Sequence, residues 1–175
     1  MLKTNIIIGI IGVARSGKDT AANYISKKYD FDKFDFATEV LEPLLIKNKI
    51  KPTKKNKSNF AKNLRQKKGN DILAKLLFKS IKNKKSKNIV ISGFRCIEEI
   101  DFFKTKTKKI IFLKLIVDEK TILKRGTYAD IDRNKRDTTF IGMEKVLNYP
   151  SVKIQNNKTK QDLFESIDKS LSCLI

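Results

Sequence analysis

The stretch Gly12-Val13-Ala14-Arg15-Ser16-Gly17-Lys18-Asp19-Thr20 decides how this chain is read. Before it stands Ile6-Ile7-Ile8-Gly9-Ile10-Ile11, a β-branched run suited to a strand buried on both faces, and after it Thr20-Ala21-Ala22-Asn23-Tyr24-Ile25 reads as a first helix. Gly12, Gly17 and Lys18 meet the spacing G-x-x-x-x-G-K of a phosphate cradle. Small residues let consecutive backbone N–H groups curl around a phosphate, the helix N-terminus adds its positive end, and the lysine reaches the β and γ oxygens. Gly12 and Ala14 to Thr20, that is Ala14, Arg15, Ser16, Gly17, Lys18, Asp19 and Thr20, are therefore the candidate nucleotide-binding residues. The position after the lysine is Asp19 where Ser or Thr is usual, and Thr20 follows one place later. Either side chain offers an oxygen to Mg²⁺, and both stay open as its ligand.

At 175 residues the chain is long enough for one domain around one core. Its two cysteines, Cys96 and Cys173, are too few and too distant for a zinc site or a disulfide framework, so a reducing interior is expected. Histidine is absent, which excludes Ser-His and Cys-His nucleophile systems and leaves chemistry run by Lys, Arg, carboxylates and Mg²⁺. Met1-Leu2-Lys3 with the apolar run behind it has the outline of a signal peptide. That run ends directly in Arg15-Ser16-Gly17-Lys18 without an A-x-A-like site, so a soluble, cytoplasmic protein without membrane association is expected.

Lys and Arg number 39 against 19 Asp and Glu, a net charge of +20. Such a field attracts anions, nucleotides included. Nucleic acid is a conceivable partner, but the excess is nearly all lysine in Lys/Asn/Ile-rich runs such as Lys82-Asn83-Lys84-Lys85, and no basic groove interleaved with aromatics is evident. A coding bias explains the runs better. The few arginines are then informative: Arg15, Arg65, Arg95, Arg125, Arg133 and Arg136 stand where a planar, bidentate cation is wanted.

Along the chain, Phe31 to Phe36 alternates like a short strand, and a helix is expected from Thr38 to Ile46 with Pro43 in its first turns. Lys47 to Ser58 reads as a polar surface connection, Ser58 as the cap of a helix closed by Gly69, and Asn70 or Asp71 as the start of an amphipathic helix through Ile81. Ile89-Val90-Ile91 is a buried strand ending in Ser92-Gly93-Phe94-Arg95. Nucleotide-binding sheets of this kind usually finish that strand with an Asp for the magnesium shell; Ser92 brings only a hydroxyl. Arg95 stands where open parallel sheets put their ligands. Ile110 to Val117 is a further strand, Asp118 a cap, and Arg125 to Asp137 a charged stretch read as a lid. Gly142 to Leu147, strand Val152-Lys153-Ile154, and a helix capped at Thr159 complete the chain. The alternation gives an α/β fold with a parallel sheet of about five strands.

This ordered set resembles the nucleoside monophosphate kinases of the P-loop superfamily, above all deoxynucleoside monophosphate kinases and archaeal adenylate-kinase-like proteins whose loops read G-K-D-T, as Gly17-Lys18-Asp19-Thr20 does. Phe34-Asp35-Phe36-Ala37, Asn63-Leu64-Arg65, Asp71-Ile72-Leu73-Ala74, Ser92-Gly93-Phe94-Arg95 and Asn156-Asn157 carry the rest of the likeness. The resemblance implies a sheet order 2-3-1-4-5, an acceptor-binding segment from Ala37 to Leu77, and a lid from Arg125 to Asp137. It implies ATP and Mg²⁺, with Lys18 and the loop on the donor phosphates, Asn156 and Asn157 by the base, and Asp19, Thr20 and Ser92 around the metal. Asp35, Arg65 and Arg95 would meet the acceptor, and Arg125, Arg133 and Arg136 the migrating phosphoryl group.

The expected activity is magnesium-dependent transfer of the γ-phosphoryl group of ATP to a (deoxy)nucleoside monophosphate, by a monomer or homodimer. Alternatives are a dephospho-coenzyme A kinase-like enzyme, a nucleotide-binding regulator that has lost catalysis, and a nucleic-acid-associated ATPase. Thr159-Lys160-Gln161-Asp162 spells a GTPase base motif but sits as a helix cap without a D-x-x-G partner.

Overall fold

Strands β1 (Ile6–Ile11), β2 (Asp32–Asp35), β3 (Asn88–Ser92), β4 (Ile110–Ile116) and β5 (Val152–Gln155) form one parallel sheet in the order β2-β3-β1-β4-β5. The computed structural model describes residues 6–107, 109–140 and 142–174, without the side chains of 137–140. Met1-Leu2-Lys3 and the side chain of Asp137 lie outside the described residues. The fold is the one expected from the alternation of segments, and the order is the one the resemblance implied.

The isoleucine run becomes the middle strand because it tolerates burial on both faces. Ile6, Ile8 and Ile10 meet Ala21, Ile25, Leu163 and Ile167 of α1 (Lys18–Tyr29) and α9 (Lys160–Ser172). Ile7 and Ile11 face the opposite way, into a larger core with Phe34, Phe94, Leu77 and Phe103, built largely by α4 (Ile72–Lys84) and α5 (Ile97–Lys104). Parallel strands all finish on the same side, so the loop after Ile11 lies on the edge that also carries Asp35 and Ser92. That edge is where the candidate residues gather.

Several boundaries differ from the sequence expectation. After β2 the chain makes a π-helical turn, Ala37–Leu41, that runs straight into α2 (Glu42–Lys47), with Pro43 in the first turn of α2. The next helix, α3 (Lys54–Lys68), begins four residues before Ser58, because Thr53 is extended and its hydroxyl accepts the N–H of Asn56 at 3.2 Å. Lysine is a good helix former, so a polar run does not by itself mark a loop. The charged stretch after α6 (Glu119–Arg125) is also helical, α7 (Tyr128–Phe140), followed by α8 (Met143–Leu147). Asp118 caps α6 by accepting the N–H of Thr121 at 2.7 Å, and Thr159 and Asp162 cap α9 reciprocally, both as expected. Among the described residues no helix is long and apolar enough to cross a membrane.

Candidate active site

A cavity of about 640 Å³ opens from the phosphate loop, across the ends of β2 and β3, to α3. Its size is that of a small-molecule site. Arg15, Lys18, Asp19 and Thr20 line it from the loop and the start of α1, Asp35 and Arg95 from the strand ends, Glu42 from α2, and Lys54, Lys57 and Arg65 from α3; Arg125 and Arg133 complete the lining. One cleft thus collects most of the residues singled out from sequence.

The loop is held from behind. Gly17 has φ 91°, open to glycine at no steric cost, and a Cβ there would collide with the side chain of Asn156. Asn156 is buried and donates to the carbonyl of Ser16 at 2.8 Å, while Arg125 Nη2 donates to its Oδ1 at 3.4 Å. Asn157 accepts the N–H of Asp118 at 3.0 Å. Neither asparagine is part of the cleft lining: Asn156 orders the phosphate loop, and Asn157 ties the exposed turn after β5 to the head of α6.

Arg15 is left-handed at φ 65°, a conformation that costs roughly 1–2 kcal/mol outside glycine. Its Nε donates to Asp130 Oδ2 at 2.8 Å, and Asp130 also draws Arg133 Nη2 to 3.6 Å. The hydrogen bond from Arg15 holds the Asp130 carboxyl below its ordinary range. Gly126 makes room for this pair, since a Cβ there would fall 2.7 Å from Arg15 Nε. Four residues along α7, Asn134 accepts the N–H of Ala14 at 2.8 Å and donates to the carbonyl of Ala14 at 3.3 Å. The helix read as a lid is docked on the loop by two side chains, Asp130 and Asn134, that sequence reasoning had not singled out. A polar residue recurring at i and i+4 inside a charged helix was the only signal.

Lys18 is half-buried, and its Nζ donates to the carbonyl of Val13 at 2.6 Å. Desolvation by burial, reinforced by the positive charge of Arg95, pulls its pKa down to about 7, with Asp19 and Asp35 opposing. Phosphate oxygens are the natural counter-charge. Three further cleft residues carry buried donors with no partner among the described residues: Arg65 Nε, Arg125 Nη1 and Arg133 Nε. The hydroxyl of Ser16, inside the loop, is likewise unpartnered. Buried donors left unmade are costly, and anionic groups bound in the cleft would offer the three arginines acceptors.

Ser92 is fully buried, and its hydroxyl donates to Asp35 Oδ2 at 2.9 Å. The other carboxylate oxygen, Oδ1, accepts the N–H groups of Ala37 at 2.8 Å and Thr38 at 3.2 Å. The carboxylate missing from the end of β3 therefore stands on the neighbouring strand, where parallel register pairs Asp35 with Ser92. Asp19, Thr20, Asp35 and Ser92 are the oxygen donors at this edge. Among the described residues no three acidic or thiol groups gather as a metal cage. That donor set fits Mg²⁺, which keeps several waters and binds through one or two carboxylates plus substrate phosphates.

Arg65 and Arg95 are placed differently from one another. Arg65 Nη2 donates to Glu99 Oε1 at 2.7 Å, with the Glu99 side chain fully buried. Burial alone would lower the Arg65 pKa, but the Glu99 carboxylate outweighs it and the net shift is upward. Glu99 also accepts the N–H of Arg95 at 2.8 Å, so this ion pair fastens α3 to the turn after β3. Arg95 lines the cleft, and its Nη1 lies 3.2 Å from Met143 Sδ of α8. Arg136 is exposed on α7 and is not part of the cleft lining.

A family model of deoxynucleotide monophosphate kinase matches residues 6–72, from β1 to the start of α4. A UPF0200 protein of Methanosarcina acetivorans is 25% identical over 95% of this chain and 94% of its own length. Among solved structures, shikimate kinase from Aquifex aeolicus superposes with a TM-score of 0.56 at 19% identity, covering 95% of this chain and 96% of that one. A gluconokinase from Sinorhizobium meliloti gives 0.57 at 11% identity, covering 95% and 91%. With the parallel sheet and the phosphate loop, the chain has the fold of these P-loop kinases, and its segment 6–72 is similar to deoxynucleotide monophosphate kinase.

Proposed function

We propose that the protein transfers the γ-phosphoryl group of ATP to the phosphate of a (deoxy)nucleoside monophosphate, giving the diphosphate. The observation that carries this reading is the set of unpartnered buried donors on Arg65, Arg125 and Arg133 facing one cleft with Lys18. Phosphoryl transfer needs positioning and charge neutralisation more than covalent chemistry, and a cleft of fixed cations supplies both.

In this reading the amides of the loop and Lys18 hold the β- and γ-phosphates of the donor, and the Asn156 and Asn134 contacts keep the loop in shape to do so. Asp19 or Thr20, with Asp35 and Ser92, would hold Mg²⁺ and its waters. When bound there, Mg²⁺ would supply charge neutralisation for the phosphates. Arg95, with Arg65 behind it, receives the acceptor phosphate, while Arg125 and Arg133 face the migrating group. The α7 helix excludes water from the transfer.

A second reading is favoured by one specific observation. Asp35 lies in the cleft with a carboxylate oriented by two backbone N–H groups and a hydroxyl, the arrangement a hydroxyl acceptor would use for its proton. A small-molecule alcohol kinase, dephospho-coenzyme A kinase-like, would need that base; a phosphate acceptor, already anionic, would not. A coupled assay of ADP formation with MgATP separates them. Turnover on a nucleoside monophosphate supports the first reading, and turnover only on hydroxyl acceptors supports the second. Absence of turnover on either class, with ATP still bound, would contradict both.

A further inference from the structure

We propose that Glu42 and Lys57 form the base-reading end of the acceptor site and that the base they read is guanine. The inference rests on the nucleoside monophosphate kinase reading and extends it to specificity. Between Glu42 and Asp71 the chain carries no acidic residue at all, while lysines crowd α3 and the turn before it. Glu42 is thus an isolated carboxylate in a basic segment, and it lines the cleft. Lys57 Nζ donates to its Oε1 at 2.7 Å, and both side chains line the cavity and remain partly exposed, at 23% and 32%. A partly exposed pair of this kind contributes modestly to stability, so its position on the cavity wall is the informative fact.

The place of the pair fixes what it would meet. Along α3, eight residues separate Lys57 from Arg65, roughly 12 Å of helix. Arg65 and Arg95 lie at the phosphate end, and the wall between is apolar, formed by Phe36, Leu41, Ala61 and Leu73. A flat ring sandwiched there, with its phosphate on the arginines, presents its far edge to Glu42 and Lys57. The reach suits a purine better than a pyrimidine. A carboxylate beside an ammonium offers acceptors next to a donor. Guanine alone among the common bases presents two adjacent N–H donors, on N1 and N2, beside a carbonyl acceptor, O6. Glu42 would accept from N1–H and the 2-amino group, and Lys57 would donate to O6.

Steady-state kinetics with MgATP and the acceptors dGMP, dIMP, dAMP and dTMP tests this on the wild-type protein. dIMP differs from dGMP only by the 2-amino group, so its kcat/KM is expected to be about 10-fold lower, the discrimination one such polar contact confers. In Glu42→Gln the ratio of dGMP to dIMP should collapse toward one, with the thermal midpoint unchanged. Equal use of dGMP and dIMP by the wild type, preference for another base, or an equal loss on every acceptor in Glu42→Gln would overturn the assignment. Transfer to none of these nucleotides is a different result: it removes the kinase reading itself and this inference with it.

Discussion

Asn134 holds Ala14 by both of its main-chain groups, accepting the N–H at 2.8 Å and donating to the carbonyl at 3.3 Å. A side-chain amide here takes the place of a neighbouring strand, and it ties the docking of α7 to the shape of the phosphate loop. Asn134→Ala leaves two buried main-chain groups unsatisfied, a loss of roughly 1–3 kcal/mol each. Expected are a lower thermal midpoint and weaker ATP binding by calorimetry, in the same variant. An unchanged ATP affinity would mean that the docked helix does not shape the loop.

Asp35 and Ser92 share a hydrogen bond of 2.9 Å across adjacent strand ends. Asp35→Asn keeps an oxygen for the Ala37 and Thr38 amides but removes the charge, so it separates capping from chemistry. The expected result is a fall in kcat of roughly 10²-fold with little change in stability. Ser92→Asp, which restores the usual strand-end carboxylate, should not raise activity: it sets two like charges within contact distance and lowers the thermal midpoint above pH 5 or so. A more active Ser92→Asp would contradict the placement of the magnesium-side carboxylate on Asp35.

Burial and the positive charge of Arg95 disfavour the charge on Lys18 and pull its pKa down to about 7. Its pKa in the unfolded chain is the ordinary 10.5, so between about 7 and 10.5 the unfolded state binds the extra proton and this group adds stability as pH rises. Below about 7 the charged, desolvated lysine carries its full cost. Lys18→Met should therefore raise the thermal midpoint at pH 6.5, with a benefit that shrinks toward pH 10, while abolishing turnover. Binding of ATP should restore the charge, so calorimetry at pH 8 in buffers of different ionisation enthalpy should show proton uptake that fades at pH 6.

Arg65 and Glu99 form a buried ion pair in which Glu99 is wholly inaccessible. Removing the cation strands that carboxylate, at a cost of roughly 3–5 kcal/mol. Arg65→Ala is expected to lower the thermal midpoint by roughly 6–20 °C in a chain of this size. A role limited to the acceptor phosphate predicts instead a raised KM with an unchanged midpoint.

The sheet was legible because Ile6 to Ile11 and Ile110 to Ile116 are too apolar for anything but buried strands, and the loop because glycine, glycine and lysine stand at fixed spacing. The capping of α6 and α9 followed from local side-chain chemistry at Asp118 and Thr159. What was hidden depends on pairing between distant segments. Asp35 could be matched to Ser92 only once the register of β2 on β3 was known. Asn134 reaches a residue 120 positions away, and its i, i+4 spacing from Asp130 does not name the segment it meets. Arg65 reads as a phosphate ligand by its rarity, yet its first partner is Glu99, a contact between α3 and α5 that no spacing encodes. Asn156 and Asn157 sit where a base loop is expected; that Asn156 also packs on Gly17 and Asn157 accepts from Asp118 is again a matter of distant pairing.

The most direct measurement follows label from [γ-³²P]ATP in the presence of Mg²⁺ and a mixture of nucleoside monophosphates, for the wild type and Lys18→Ala. Labelled nucleoside diphosphate from the wild type, and none from Lys18→Ala, is the predicted result. Label appearing only as inorganic phosphate, or on a hydroxyl acceptor alone, would contradict phosphoryl transfer to a nucleotide at this cleft.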